Sequence, residues 1–174
     1  VKVGNVFIDG IVRYKPVKQF AVQFGQGKIP GEREELISAE RQFFVERSTT
    51  NALFKLDRDF GFQFFGNFGK KFVFKPRLSV STGEGRNYIA TDVQHLDYTL
   101  RLDFLPTGDF AENGDYTFQD FAREPKPKLA FSVSYDFNNK AALQKTQMGG
   151  NFINDTLRKN VHSLYADAIL KYKG

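Results

Sequence analysis

The feature that most constrains this chain is a strict alternation of apolar and polar side chains. Across residues 129–137 every second residue is large and apolar, and the residues between them are Ala, Ser or Asp. Successive side chains of a β-strand point to opposite faces, so a period of two predicts a strand with one apolar and one polar face. Residues 96–104 repeat the pattern and place Asp97, Arg101 and Asp103 on the polar face.

Five further segments alternate less regularly and predict additional strands: 6–15, 20–26, 60–65, 72–80 and 162–172. Pro76 weakens one of them, because proline cannot donate a hydrogen bond to a neighbouring strand. A Glu-rich stretch at 31–40 is the one candidate for a short helix. About seven strands therefore predict an all-β chain.

Composition excludes several classes of protein. The chain of 174 residues has no Cys, so disulfides, cysteine metal sites and thiol nucleophiles are excluded. No apolar run approaches the ~18 residues of a membrane-spanning helix. The formal net charge of +5 is spread along the chain, so nucleic acid is not an expected partner. No signal-peptide pattern precedes the first strand, and we expect a mature form or an internal piece.

The lengths of the connections differ in a way that favours a membrane barrel. Tight turns at 15–18 and 67–70 alternate with long connections at 27–59, 82–95 and 138–161. Short turns on one side and long loops on the other are typical of outer-membrane barrels, whose aromatic girdles would suit 20 Phe and 7 Tyr. The long connection at 106–127 departs from this alternation. The pattern predicts an antiparallel transmembrane β-barrel, although a soluble β-sandwich shares the same alternation.

Short motifs in the loop region resemble a known family. Residues 25–30 read GQGKIP, residues 44–48 read FVERS and residues 58–61 read RDFG, with Glu34 between the first two motifs. In this order they resemble elements of the phosphate-selective porin O and P family. Residues 83–85, 105–106, 114–116, 123–124 and 127–129 resemble versions of that family found in Bacteroidetes.

The resemblance implies a homotrimeric porin of the bacterial outer membrane with about sixteen strands in each barrel. Residues 1–174 would then form a single partial β-barrel domain that supplies about seven of those strands. Residues 27–59 would be the long loop that folds inward to form a narrow, positively charged constriction. The implied partners are the lipid bilayer and small anions, with phosphate as one candidate.

Two sets of basic residues are predicted to line the pore and bind anions. Strand alternation places the first set on the polar face: Arg13, Lys15, Lys75, Arg77 and Arg101. The resemblance adds a second set from the inward loop: Lys28, Arg33, Arg41, Arg47 and Arg58. Arginine suits phosphate because its planar fork of donors matches the phosphate oxygens and stays charged at neutral pH.

Alternatives remain open at the level of the residues. Five acids lie in the same loop as the predicted constriction (Glu32, Glu34, Glu35, Glu40 and Glu46), so a general or weakly selective pore is an alternative. Arg101 could instead form a neutral network with Asp97, Asp103 and Thr99 on the same face. A non-conducting barrel that acts as a scaffold or binds a partner through 138–161 is a further alternative. No catalytic triad, metal site or cofactor is predicted, and an enzyme is not expected.

Overall fold

The computed structural model describes residues 8–44, 46–87, 95–141 and 159–174, which form a single antiparallel sheet. Each strand pairs with the next along the chain. The strands are β1 (Gly10–Val17), β2 (Phe20–Lys28), β3 (Arg58–Gly66), β4 (Val73–Ser81), β5 (Asp97–Leu105), β6 (Lys128–Ala141) and β7 (Lys159–Lys171). The prediction of an all-β chain is confirmed. Within the described residues the sheet is open, with β1 at one edge and β7 at the other.

Among the described residues, helical structure is limited to short segments within the connections. The connection between β2 and β3 contains α1 (Arg33–Leu36), a 3₁₀ turn (Ala39–Arg41) and α2 (Thr49–Phe54). A second 3₁₀ segment (Ala111–Tyr116) lies between β5 and β6 and is kinked at two residues with positive φ, Glu112 and Asn113. No helix in the described part of the chain has the length and apolar character needed to span a bilayer.

The register of the sheet places side chains of similar polarity next to one another across all seven strands. One apolar row crosses the whole sheet: Tyr14, Val22, Phe64, Leu78, Leu100, Tyr135 and Leu164. The neighbouring row, on the opposite face, is mostly polar: Arg13, Gln23, Gln63, Ser79, Thr99, Asp136 and Ser163. If one strand shifted by one residue against its neighbour, its apolar side chains would move to the polar face and its polar side chains to the apolar face. The alternation of apolar and polar residues therefore fixes this register.

Burial of the two faces is the reverse of that in a soluble protein. On the apolar face, Leu100 is 43% exposed and Leu164 is 73% exposed. On the polar face, Ser79 and Thr99 are fully buried. Soluble proteins place such apolar side chains inside and polar ones outside. An exposed apolar row that crosses all seven strands indicates a surface that contacts another protein or lipid.

Two long connections cover the polar face from opposite ends of the sheet. Residues 29–57 follow β2 and residues 106–127 follow β5, so in a meander they leave from different ends. The second connection is anchored by a small apolar core in which Phe118 packs against Val73, Leu105, Phe110, Ala130 and Ile169. The position of 106–127 over the polar face explains its length, which the alternation of turns did not predict.

The strand bounds differ from the predicted ones at several connections. β2 continues to Lys28 and β3 begins at Arg58, so the first long connection is shorter than 27–59. β6 continues to Ala141 and β7 begins at Lys159, which shortens the predicted connection at 138–161; its residues 142–158 lie outside the described part. Pro76 lies one position beyond the last pair between β3 and β4, so its missing N–H costs no bond to β3.

Candidate functional site

The two long connections, 29–57 and 106–127, contact each other over the polar face of the sheet. The Phe118 amide donates a hydrogen bond to the Arg41 carbonyl at 3.0 Å, and the Gln119 side chain donates to the Gln42 carbonyl at 2.8 Å. The rings of Phe43 and Phe118 stack with their centroids 5.8 Å apart. These contacts join the two connections into one cover over the sheet.

Four charged residues at the contact between this cover and the sheet form what we term the central charge cluster: Arg33, Arg101, Asp103 and Asp167. Arg101 Nη2 lies 2.9 Å from Asp167 Oδ2, and Arg101 Nε lies 2.9 Å from Asp103 Oδ1. Arg33 Nε lies 2.6 Å from Asp167 Oδ1. Arg101 is fully buried and also donates to the Gly31 carbonyl at 2.5 Å. The two guanidinium groups therefore share two carboxylates, and each charge has an opposite partner.

Tyr116 connects the central charge cluster to the 106–127 connection. Its hydroxyl donates to Asp103 Oδ2 at 2.5 Å, and its ring lies beneath two guanidinium groups, with Arg77 Cζ 4.1 Å and Arg33 Cζ 5.2 Å from the centroid. Burial raises the pKa of Tyr116 to about 12, so its hydroxyl stays protonated and remains a donor. Cation–π contacts of this kind stabilise partly desolvated arginines.

A second group of residues forms what we term the cationic groove: Arg13, Lys15, Lys18, Lys75 and Arg77. These side chains line a cavity of about 250 Å³ at the end of the sheet that carries the turn between β1 and β2. Phe65, Asn113, Asp115 and Tyr116 are among the other residues that line it. Four of its five basic residues were predicted from strand alternation alone, and Lys18 is added by the turn.

The basic residues of the cationic groove are only partly neutralised. Lys75 Nζ lies 2.7 Å from Asp109 Oδ1 and 2.8 Å from Asp115 Oδ2. Arg13 lies over the Phe65 ring at 4.4 Å. Within the described ranges, no carboxylate forms an ion pair with Arg13, Lys15 or Lys18, which are exposed. The groove therefore keeps a surplus of positive charge facing solvent.

A third group surrounds a single buried acid and forms what we term the loop-end cluster: Lys28, Glu35, Arg47, Lys55 and Arg58. Glu35 is 2% exposed, and its carboxylate lies 3.4 Å from Arg47 Nη1 and 3.9 Å from Arg58 Nη1. Lys28 Nζ donates to the Glu35 carbonyl at 2.5 Å. The cluster ties α1 to the ends of β2 and β3, so these cations hold the loop in place.

The predicted basic residues thus fall into several groups, of which the cationic groove and the central charge cluster adjoin, since Arg77 Nε lies 3.7 Å from Asp103 Oδ2. Arg33 and Arg101 lie in the central charge cluster; Lys28, Arg47 and Arg58 lie in the loop-end cluster; Arg13, Lys15, Lys75 and Arg77 lie in the cationic groove. Arg41 lies apart from all three groups and lines another cavity of about 310 Å³ between the connections. The structure does not bring the ten residues together into one constriction.

Sequence reasoning found one acidic partner of Arg101 and missed the other. Asp97, expected beside Arg101, instead accepts a hydrogen bond from Ser81 Oγ at 3.2 Å, whereas Asp103 is a partner as expected. Asp167 is the second partner of Arg101, and it is 66 residues away in the chain. A pairing of that separation leaves no local signal. Among the described residues no group of three or more His, Cys, Asp or Glu could hold a metal ion.

Comparison with protein-family models, with curated proteins and with solved structures finds no significant match to this chain.

Proposed function

We propose that this chain forms part of the wall of a porin in the bacterial outer membrane, through which small anions diffuse passively. Phosphate is one candidate among them. The observation that carries the proposal is the apolar row from Tyr14 to Leu164, which crosses all seven strands and is exposed or half-exposed, while the polar row behind it is buried from β2 to β6. A barrel wall in a bilayer has this arrangement, with apolar side chains towards lipid and polar ones towards the lumen.

The free energy of burial favours lipid as the partner of this face. Each apolar side chain that leaves water contributes roughly 25 cal/mol per Å² of apolar surface, and the exposed row repeats this gain on every strand. Hydrocarbon does not tolerate unpaired backbone groups at the edges of a sheet. The proposal therefore includes further strands, or further chains, that pair with β1 and β7 and close the barrel.

The cationic groove supports anions as the permeating species. Arg13, Lys15 and Lys18 present exposed positive charge on the polar side of the wall. Fixed charge of one sign along a wet path raises the local concentration of the opposite ion. An anion needs partners that bind it firmly enough to enter and weakly enough to leave, and exposed side chains without ion pairs fit this requirement.

The proposal is tested by measuring the reversal potential of the full-length protein in planar bilayers across a salt gradient. We expect anion selectivity, and we expect the double variant Lys15→Gln/Lys18→Gln to lose a large part of it. The control is Lys126→Gln/Lys173→Gln, which removes the same charge from exposed positions outside the groove. Cation preference in the parent protein, or equal effects of the two double variants, would contradict the proposal.

A second candidate function is a non-conducting barrel that serves as a scaffold or surface-binding subunit. The ion pairs of the central charge cluster favour it, because paired arginines under a continuous cover do not offer free charge to a permeating ion. Bilayers that stay silent while the protein remains inserted in membranes would favour this candidate. A chain that stays in the aqueous phase without detergent would instead favour a soluble β-sandwich.

A further inference from the structure

Four exposed lysines lie at the end of the sheet that carries its two short turns. They follow β1, β3 and β7 in the chain, and because the strands form a meander these positions belong to the same end. We term them the basic rim: Lys18, Lys70, Lys71 and Lys173. Lys18 also lines the cationic groove. Within the described residues, no carboxylate forms an ion pair with any of the four.

An exposed aromatic side chain lies one or two residues from a lysine of the basic rim at each of these three positions: Phe20, Phe72 and Tyr172. Phe20 has the parity of the apolar row on β2. The Phe72 ring centroid lies 6.4 Å from that of Phe104, which is on the apolar face. Tyr172 follows the buried Lys171 and continues the alternation of β7 onto the apolar face. Each position therefore combines an aromatic ring of the apolar face with a positive charge beside it.

The opposite end of the sheet differs in its free positive charge. Arg47, Arg58 and Arg86 each lie within 4.0 Å of a carboxylate there. Lys140 and Lys159 are exposed at that end, but neither has an aromatic residue within two positions in the chain. Among the described residues, aromatic rings of the apolar face with unpaired lysines beside them are therefore a feature of the short-turn end.

We propose that the basic rim binds the headgroups of anionic glycerophospholipids, such as phosphatidylglycerol, in the membrane leaflet that the short turns reach. The inference rests on the proposed function, because it needs the apolar face to lie against lipid. It adds the charge of that lipid and the side of the membrane on which the lipid lies. Aromatic rings settle at the level of the headgroups, and lysine stems extend along apolar surface until the ammonium group reaches the polar layer.

The position of the basic rim favours phospholipid as its occupant. Short turns lie on the periplasmic side of outer-membrane barrels. The periplasmic leaflet consists of glycerophospholipids, whereas lipopolysaccharide lies in the opposite leaflet. The β1–β2 and β3–β4 turns are two strands apart in the sheet, about 10 Å at the usual strand spacing, so they meet different headgroups. Lysine suits such mobile partners, because its ammonium group is a point charge with rotatable donors on a flexible stem.

The first test measures which lipid surrounds each end of the apolar face in the full-length protein. Phe72→Trp places a reporter beside the basic rim, and Phe60→Trp places one at the opposite end; the native rings are 54% and 43% exposed. The vesicles contain phosphatidylcholine with a minor fraction of phosphatidylglycerol, and bromine is carried either by that phosphatidylglycerol or by an equal amount of phosphatidylcholine. Emission is taken as the difference from the parent protein.

We expect phosphatidylglycerol to be enriched about fivefold or more around the Phe72→Trp reporter, the factor that one basic side chain contributes at an anionic surface. Around the Phe60→Trp reporter we expect an enrichment of less than about twofold, because the nearby arginines are paired. Equal quenching by the two brominated lipids at the Phe72→Trp reporter would overturn the proposal.

The second test removes charge in the Phe72→Trp background. Lys70→Gln/Lys71→Gln deletes half of the basic rim, and we expect the enrichment to fall to about twofold or less. Lys140→Gln/Lys159→Gln is the matched control, because it removes the same charge from exposed positions at the opposite end, and it should leave the enrichment unchanged. Salt of about 1 M, with a Debye length of ~3 Å, should abolish the enrichment in both backgrounds. Equal losses in the two double variants, or no loss in Lys70→Gln/Lys71→Gln, would contradict the proposal.

Other occupants of the basic rim give different results. An equimolar amount of lipopolysaccharide that displaces phosphatidylglycerol from the Phe72→Trp reporter would assign the basic rim to the other leaflet. A protein layer over this end would leave the Phe72→Trp reporter insensitive to every brominated lipid while the Phe60→Trp reporter still responds. Either result overturns the proposal.

The proposed lipid binding and the proposed function fail in distinguishable ways. Enrichment of phosphatidylglycerol at the basic rim without an anion current removes the proposed conduction and keeps the lipid site. An anion-selective current without enrichment keeps the porin function and removes the lipid site. Two reporters that both ignore brominated lipid would remove both proposals.

Discussion

At the scale of single residues, the polar face is organised by charges that are buried and paired. Arg101 is fully buried, and two carboxylates and a backbone carbonyl accept its hydrogen bonds. Strand alternation was sufficient to place Arg101 on the polar face. It could not distinguish a pore-lining arginine from one that holds the cover in place, because that difference depends on Asp167 and on residues of both long connections.

Arg101→Met tests how much this pairing contributes to stability. The substitution leaves Asp103 and Asp167 with fewer donors in a buried site, and we expect the free energy of unfolding to fall by about 3 kcal/mol or more. The measurement is a urea titration of the full-length protein in lipid vesicles, followed by circular dichroism. The control is Arg41→Met, an exposed arginine without an ion pair in the described part of the chain, which should change stability by less than about 0.5 kcal/mol. Equal losses for the two variants would show that the central charge cluster does not stabilise the fold.

At the scale of elements, the strands could be predicted and the covering connections could not. A period of two is a local property, so seven strands and both faces followed from the sequence with only small shifts in their bounds. The path of 106–127 depends on contacts with residues far away in the chain, such as the hydrogen bond from Phe118 to the Arg41 carbonyl. No local pattern encodes such a contact, and the sequence predicted a long connection here without giving a reason for its length.

Gly61 of β3 is a point where the elements approach closely, and it provides a test of the strand register. A Cβ added there would lie 2.6 Å from Ser81 Cα and would also meet the Val80 carbonyl. Gly61→Ala should therefore force β3 and β4 apart and destabilise the fold by about 1 to 3 kcal/mol. Gly10→Ala is the matched control, since a Cβ at Gly10 meets no atom within 4 Å. Thermal unfolding of both variants gives the comparison, and a neutral Gly61→Ala would indicate that β3 and β4 pair differently.

At the scale of the whole molecule, the decisive property is the reversal of its two faces. A water-soluble domain would hide the apolar row and expose the polar row, and this sheet does the opposite. The small apolar core around Leu105 lies beneath the connections on the polar side, so it does not account for the exposed face. Leaving that face in water would cost free energy, so we expect lipid or another protein layer, outside the described residues, to cover it.

Tryptophan fluorescence can separate these two partners, because this chain contains no tryptophan. Leu100→Trp places a reporter in the middle of the apolar row, where the native side chain is 43% exposed. In vesicles with brominated acyl chains we expect its emission, taken as the difference from the parent protein, to be strongly quenched. Lys126→Trp reports from an exposed position on a connection and should not respond to the bromine atoms. A Leu100→Trp signal that is blue-shifted but insensitive to brominated lipid would mean that protein covers the face, and the porin proposal would then lose the observation that carries it.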